Sequence, residues 1–189
     1  MTGIRTAWLT ALIALFLAGP APAGEIAGVN VPDTVQVQGH TLGLQGAGVR
    51  KKFFFKVYVG ALYLATPSSD AARAVSADEP KRISMFFVRS VGEDKLRKAF
   101  EEGFFKAAQE RLDTLRERID RFLGLFAGGV DKGQAVHLTY LPGTGTVVSI
   151  GGRERGTIPG RDFMEALWGI WLGDVPADHG LKRAMLGIR

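Results

Sequence analysis

GAGVRKKFFFKVYVGALYL, residues 46–64, is the stretch on which the reading of this chain turns. From Phe53 onward the odd positions Phe53, Phe55, Val57, Val59, Ala61 and Tyr63 are all apolar or aromatic, the two-residue period of a strand that buries one face. The even positions run Arg50, Lys52, Phe54, Lys56, Tyr58, Gly60, Leu62, so the second face mixes cations and a phenol with apolar carbon. Such a face is either a strand surface solvated by its lysines or the wall of a pocket. Gly46 and Gly48 loosen the start of the segment, which predicts a bend over Gly48 to Lys52 and a strand over Phe53 to Ala65.

On the N-terminal side, Val31 to Gln38 and Thr41 to Gln45 read as a hairpin about a Gly39-His40 turn. On the C-terminal side Thr66-Pro67 stops the strand, and Ser68 or Ser69 caps a short helix toward Val75. Arg82 to Arg89 follows as a strand with Ile83, Met85 and Phe87 on one side. The middle is helical: Leu96, Ala99, Phe100, Gly103, Phe104 and Ala107, then Leu112, Leu115, Ile119, Phe122, Leu123 and Phe126, recur at three and four residues. These form one long helix or two joined near Gln109, closed by Gly128-Gly129. Strands over Gln134 to Leu141, Thr146 to Ile150 and Arg153 to Ile158, with glycine turns between, make a meander. Asp162 caps a helix carrying Phe163, Leu167, Ile170 and Trp171, and a last helical turn holds Leu181 and Met185. Strands and helices without βαβ alternation predict an α+β domain, a large antiparallel sheet with helices on one face; a β-sandwich is the second choice.

The ends and the composition set bounds. Arg5, the apolar run Ala7 to Ala18 and Ala21-Pro22-Ala23 read as a signal peptide over residues 1–23, with cleavage before Gly24, leaving one domain over 24–189. The expected address is outside the cytoplasm, the periplasm if the source is a Gram-negative bacterium, and no later stretch is apolar enough to span a membrane. Without cysteine, thiol catalysis and thiolate metal sites are excluded. The 24 basic residues exceed the 19 acidic ones modestly, which suits an anionic small molecule or lipid; no nucleic-acid module is apparent.

Few constellations point to chemistry. Ser149 lies in a strand-and-turn context rather than a nucleophile elbow. His40, His137 and His179 have no second ligand at helical or hairpin spacing, so no metal and no cofactor is expected. Glu101 and Glu102 diverge on a helix and make no acid–base pair. Trp168 and Trp171 read first as core anchors, with ligand contact open to either. What remains is the basic and aromatic strand, where a cation and a phenol beside an apolar cavity suit an amphipathic anion: its tail is buried and its head group takes charge-assisted hydrogen bonds.

Residues 46–64 together with FMEALWGIWLGDVPADHGLKRAMLG, residues 163–187, resemble the chalcone isomerase-like family, and the order of elements between them fits. The resemblance implies an open-faced β-sandwich with a ligand cleft between a large antiparallel sheet and its helices. Plant chalcone isomerases use an arginine to hold a phenolate and hydroxyl side chains to polarise a ketone. Arg50 matches that arginine, but the strand threonine falls on Tyr58 and the later helical threonine on Ile170, and residues 90–127 contain neither tyrosine nor asparagine. The resemblance therefore implies no flavanone-forming activity. An arginine and a tyrosine at the two strand positions resemble the non-catalytic fatty-acid-binding branch, in which that pair holds a carboxylate. The expected ligand-binding residues are Arg50, Tyr58, Lys56, Ile170 and Trp171, with Lys52 or Lys56 able to replace the arginine as the cation. An isomerase or intramolecular lyase on another substrate, and an envelope interaction domain without ligand, are the alternative readings.

Overall fold

The computed structural model describes residues 22–188. The predicted leader thus lies outside the described residues apart from Pro22 and Ala23, which begin the first strand. The hairpin β1 (Pro22–Ile26) and β2 (Val29–Pro32) stands apart from the main sheet. That sheet has seven antiparallel strands in sequence order: β3 (Thr34–Val37), β4 (His40–Lys52), β5 (Phe55–Leu64), β6 (Lys81–Phe87), β7 (Ala135–Leu141), β8 (Gly145–Ile150) and β9 (Arg153–Ile158). Among the described residues there are five helices: α1 (Ala71–Ser76), α2 (Glu93–Ala108), α3 (Leu112–Gly124), α4 (Arg161–Leu172) and α5 (His179–Met185). A 3-10 turn over Gln109–Arg111 divides α2 from α3, where the periodicity placed a joint.

The sheet is covered unequally. On one face Leu62, Ile83, Met85, Leu138 and Val148 meet the helices in a continuous core. Its aromatic centre joins α2, α3 and α4: the Phe100 ring lies 5.0 Å from that of Phe122 and 4.9 Å from that of Phe126, mostly in tilted or edge-on packing. On the other face Val59, Ala61 and Tyr63 pack with Leu42 and with Val31 of the β1–β2 hairpin, whose Pro32 carbonyl accepts a hydrogen bond from the Tyr63 hydroxyl. From Tyr58 to Leu64 both sides of β5 are therefore buried, and neither is the lysine-solvated face that alternation also allowed. This is the open-faced β-sandwich expected of the chain.

Three sequence readings are corrected. Gly46 and Gly48 are not turn residues; they lie within β4, paired to Leu62 and Gly60. Their role is clearance, because a Cβ on Gly46 would come within 2.2 Å of the Ala184 carbonyl oxygen and one on Gly48 within 2.5 Å of the Ala184 Cβ. Helix α5 can lie on β4 only where side chains are missing. The hairpin turn falls instead at Phe53-Phe54, between paired Lys52 and Phe55. Phe53 has φ +55°, where glycine or asparagine is the usual occupant, so the residues give no recognisable turn signal. Helix caps also differ. Asp70, not Ser68 or Ser69, caps α1 by accepting from the Ala72 and Arg73 amides. Asp162 lies inside α4, whose cap is Gly160, and its carboxylate accepts from Arg118 through two bonds of 2.7 and 2.6 Å.

Candidate ligand cleft

A cavity of about 520 Å³ lies between the β4–β6 end of the sheet and helices α2 and α4. Its existence follows from how α2 is held. A Cβ on Gly103 would meet Ile170 at 2.8 Å, and one on Gly169 would meet Ala107 at 3.1 Å, so the C-terminal half of α2 leans tightly on α4. In the N-terminal half Leu96, Ala99 and Phe100 line the gap. The gap is bounded on the sheet side by Val57, Tyr58, Met85 and Phe87 and on the α4 side by Ile170 and Trp171. These walls are apolar and mostly buried.

One flank of the cleft is polar. Arg50 and Tyr58 are direct cross-strand partners on β4 and β5, because the turn comes after Arg50 rather than at it. A register shift between Arg50 and Lys51 adjusts the pairing there. Opposite partners have Cβ atoms about 5 Å apart, close enough for both side chains to address one head group. The Tyr58 hydroxyl accepts from the Trp171 indole at 2.8 Å and is buried among Phe87 and its neighbours. Burial pushes the Tyr58 pKa up; the Trp171 hydrogen bond and the Arg50 charge pull the other way without reversing it, so the group is a neutral phenol at physiological pH.

Arg50 donates from Nη1 to the Lys51 carbonyl and to Asp178 Oδ2, the latter at 3.2 Å. Asp178 is itself fixed as the N-cap of α5, accepting from the Leu181 amide at 2.9 Å. The ion pair is only partly screened, with side chains 22% and 21% exposed. Both bonds use Nη1, whereas a guanidinium carries five N–H donors in a planar fork. Outside this flank the rim is strongly cationic: Lys52, Arg89, Lys95, Lys98 and Lys106 are exposed around the opening, with Glu102 the one acidic side chain among the described lining residues.

Of the residues expected to bind ligand, Arg50, Tyr58, Ile170 and Trp171 line this one cleft. Lys56 does not: it is exposed, pairs with Lys51 near the hairpin tip, and is absent from the lining. Moving the turn to Phe53-Phe54 is what removes it. Trp171 both packs in the core and touches the cleft, whereas Trp168 is wholly buried in the core. Sequence reading missed the contribution of α2 and the partner Asp178. A glycine inside an otherwise strong helix, Gly103, was the available signal, since it costs about 1 kcal/mol there unless close packing uses it. Of the histidines, His137 sits on the opposite sheet face, its Nδ1 2.8 Å from the Ser84 hydroxyl. Among the described residues there is no cluster of three or more His, Cys, Asp or Glu able to hold a metal ion.

The seven-stranded meander, the helices along one face and the cleft between them define a class of open-faced β-sandwich proteins. A sequence model of the family described as chalcone isomerase-like matches residues 23–187, and the chain belongs to that family. In three dimensions it is similar to the crystal structure of a fatty-acid binding protein of Arabidopsis thaliana, with a TM-score of 0.69 and 20% sequence identity over 84% of this chain and 92% of that one. No curated protein matches it in sequence. No helix among the described residues is long and apolar enough to cross a membrane.

Proposed function

We propose that this protein is an exported, non-catalytic carrier or sensor of an amphipathic anion, with a long-chain fatty acid as the best-fitting ligand. The observation that carries the reading is the cleft itself: an apolar gap of about 520 Å³, within the usual size range for small-molecule sites, with Arg50 and Tyr58 side by side on one flank. The acyl chain lies along Val57, Met85, Phe87, Leu96 and Phe100. The carboxylate takes N–H donors of the Arg50 guanidinium and the Tyr58 hydroxyl proton, while Trp171 holds the phenol in place from behind. The fatty-acid binding protein of like fold supports the same ligand class.

Binding suits the groups better than catalysis does. The phenol is held above its ordinary pKa, and a guanidinium stays protonated throughout. Asp178 is engaged by Arg50, and Glu102 is an exposed rim residue. No histidine is among the described residues of the lining. The cleft therefore offers donors for a fixed anion and no enclosed base for proton abstraction. The test is native mass spectrometry of the purified protein, followed by extraction and identification of whatever it retains. Retention of one fatty acid per chain, or uptake of one on incubation, is the expected result; a cleft that stays empty under both conditions contradicts the proposal.

A further inference from the structure

The β4–β5 turn carries features that neither the core nor the cleft explains. Phe53, Phe54 and Phe55 are 85%, 97% and 59% exposed, three consecutive large aromatics on a molecule that buries most of its others. Phe53 sits at φ +55°, a conformation that is unfavourable for a bulky side chain and that glycine would adopt freely. Lys51 and Lys56 face each other across the two strands, a like-charge pairing that weakens a hairpin. Each feature works against stability, and all three meet within six residues at one tip. Misfit concentrated in this way marks a surface kept for contact.

The contact has a definite chemistry. The three aromatic rings of the tip are exposed, and Lys51, Lys52 and Lys56, exposed as well, flank them on both sides. Arg89, two residues past β6, stacks over the Phe55 ring at 4.7 Å and adds its charge to the same edge. Lys95 and Lys98 of α2 continue the positive surface along the cleft opening. Exposed aromatics ringed by cations fit the boundary between the head groups and acyl chains of an anionic bilayer: the rings enter the boundary and the lysines meet lipid phosphates. We propose that the Lys51–Lys56 hairpin tip docks this protein on an anionic phospholipid membrane. Lys52, Phe53 and Phe55 also line the cleft, so docking sets its opening against the lipid surface and lets an acyl ligand pass between bilayer and cleft. The docking stands independently of the fatty-acid reading; the passage of ligand rests on it.

The absence of cysteine from the sequence makes a direct test simple. Phe54 does not line the cleft and Thr144, in the exposed β7–β8 turn, lies on another loop, so Phe54→Cys and Thr144→Cys each accept one environment-sensitive fluorophore. Each labelled full chain, with a thermal melt matching the unlabelled protein, is titrated with vesicles of phosphatidylcholine alone or with about one third phosphatidylglycerol. The expected result is a blue shift and brightening at position 54 with the phosphatidylglycerol vesicles and none at position 144. Adding Lys51→Gln moves the midpoint to roughly fivefold more lipid, the worth of one basic residue near an anionic surface. An unchanged spectrum at position 54, an equal change at position 144, or a change at position 54 that follows protein concentration without vesicles overturns the proposal; the last would make the tip a contact between copies. Calorimetric titration of a fatty acid into the unlabelled chain without vesicles reads the cleft separately, so the two ideas fail independently.

Discussion

Helices α5 and α2 lie over the same face of the same sheet, yet one touches the strands and the other stands away from them. Under α5 the strand residues are Gly46, Gly48 and Gly60, and Ala184 and Leu181 come down almost to backbone contact. Under the first half of α2 the strands carry Val57, Tyr58, Met85 and Phe87, whose size keeps the helix off, while Gly103 pins its far half to α4. Packing is thus closed by glycine in one place and held open by glycine in the other. The cleft is a consequence of which helix the small residues serve, and it costs the fold little because the aromatic cluster of Phe100, Phe104, Phe122, Phe126 and Phe163 anchors α2 elsewhere.

That contrast can be broken from either side. Gly46→Val should be the most damaging change: its Cβ meets the Ala184 carbonyl, backbone that cannot move aside, and denaturant unfolding should show a loss of about 3 kcal/mol or more. Tyr58→Phe comes next. It leaves the buried Trp171 indole N–H without its acceptor, an expected loss of about 1–3 kcal/mol in the same measurement, together with weaker binding of an acyl anion. Ala99→Phe fills the gap under α2 instead; stability should stay within about 0.5 kcal/mol of the parent, whereas fatty-acid uptake should disappear in a titration. If Ala99→Phe proves as destabilising as Gly46→Val, the two helix contacts do not differ as described.

An effect confined to acid pH, and absent at neutral pH, belongs to the sheet face away from both helices. Burial, and after it the Arg82 charge, lower the His137 pKa from the ordinary 6.5 to about 4. Between those values the unfolded chain binds a proton that the folded chain refuses, so this residue's contribution to stability is complete above pH 6.5 and is lost as pH falls toward 4. His137→Asn should flatten that part of the Tm-against-pH curve while leaving ligand binding unchanged.

The meander, the joint near Gln109 and the buried pattern of β6 were legible because each follows from periodicity or from ordinary turn residues. The β4–β5 turn was not, for two physical reasons. Glycines at 46 and 48 look like turn residues when their purpose is to admit a helix from more than 130 residues away, and phenylalanines at 53 and 54 give no sign of the turn they form. Misplacing that turn put Arg50 at a loop, and alternation alone, which put Lys56 on the face of Tyr58, could not show that Lys56 lies near the hairpin tip and outside the lining. The Arg50–Tyr58 pair was still found, through the family resemblance. Asp178 was out of reach, since only the tertiary fold brings it to Arg50, whereas Leu96, Ala99 and Gly103 were legible as one stripe of a helix and only their place over the cleft was not.

The central claim is that Arg50 selects an anionic head group for an apolar cleft. Calorimetric titration of a long-chain fatty acid and of the fatty alcohol of equal length, into the parent protein and into Arg50→Ala, measures this directly. The acid should bind the parent about tenfold or more tightly than the alcohol, the yield of one charge-assisted hydrogen bond, and Arg50→Ala should bring the acid down to the alcohol's affinity. Equal binding of acid and alcohol by the parent, or an acid affinity untouched by Arg50→Ala, would contradict it.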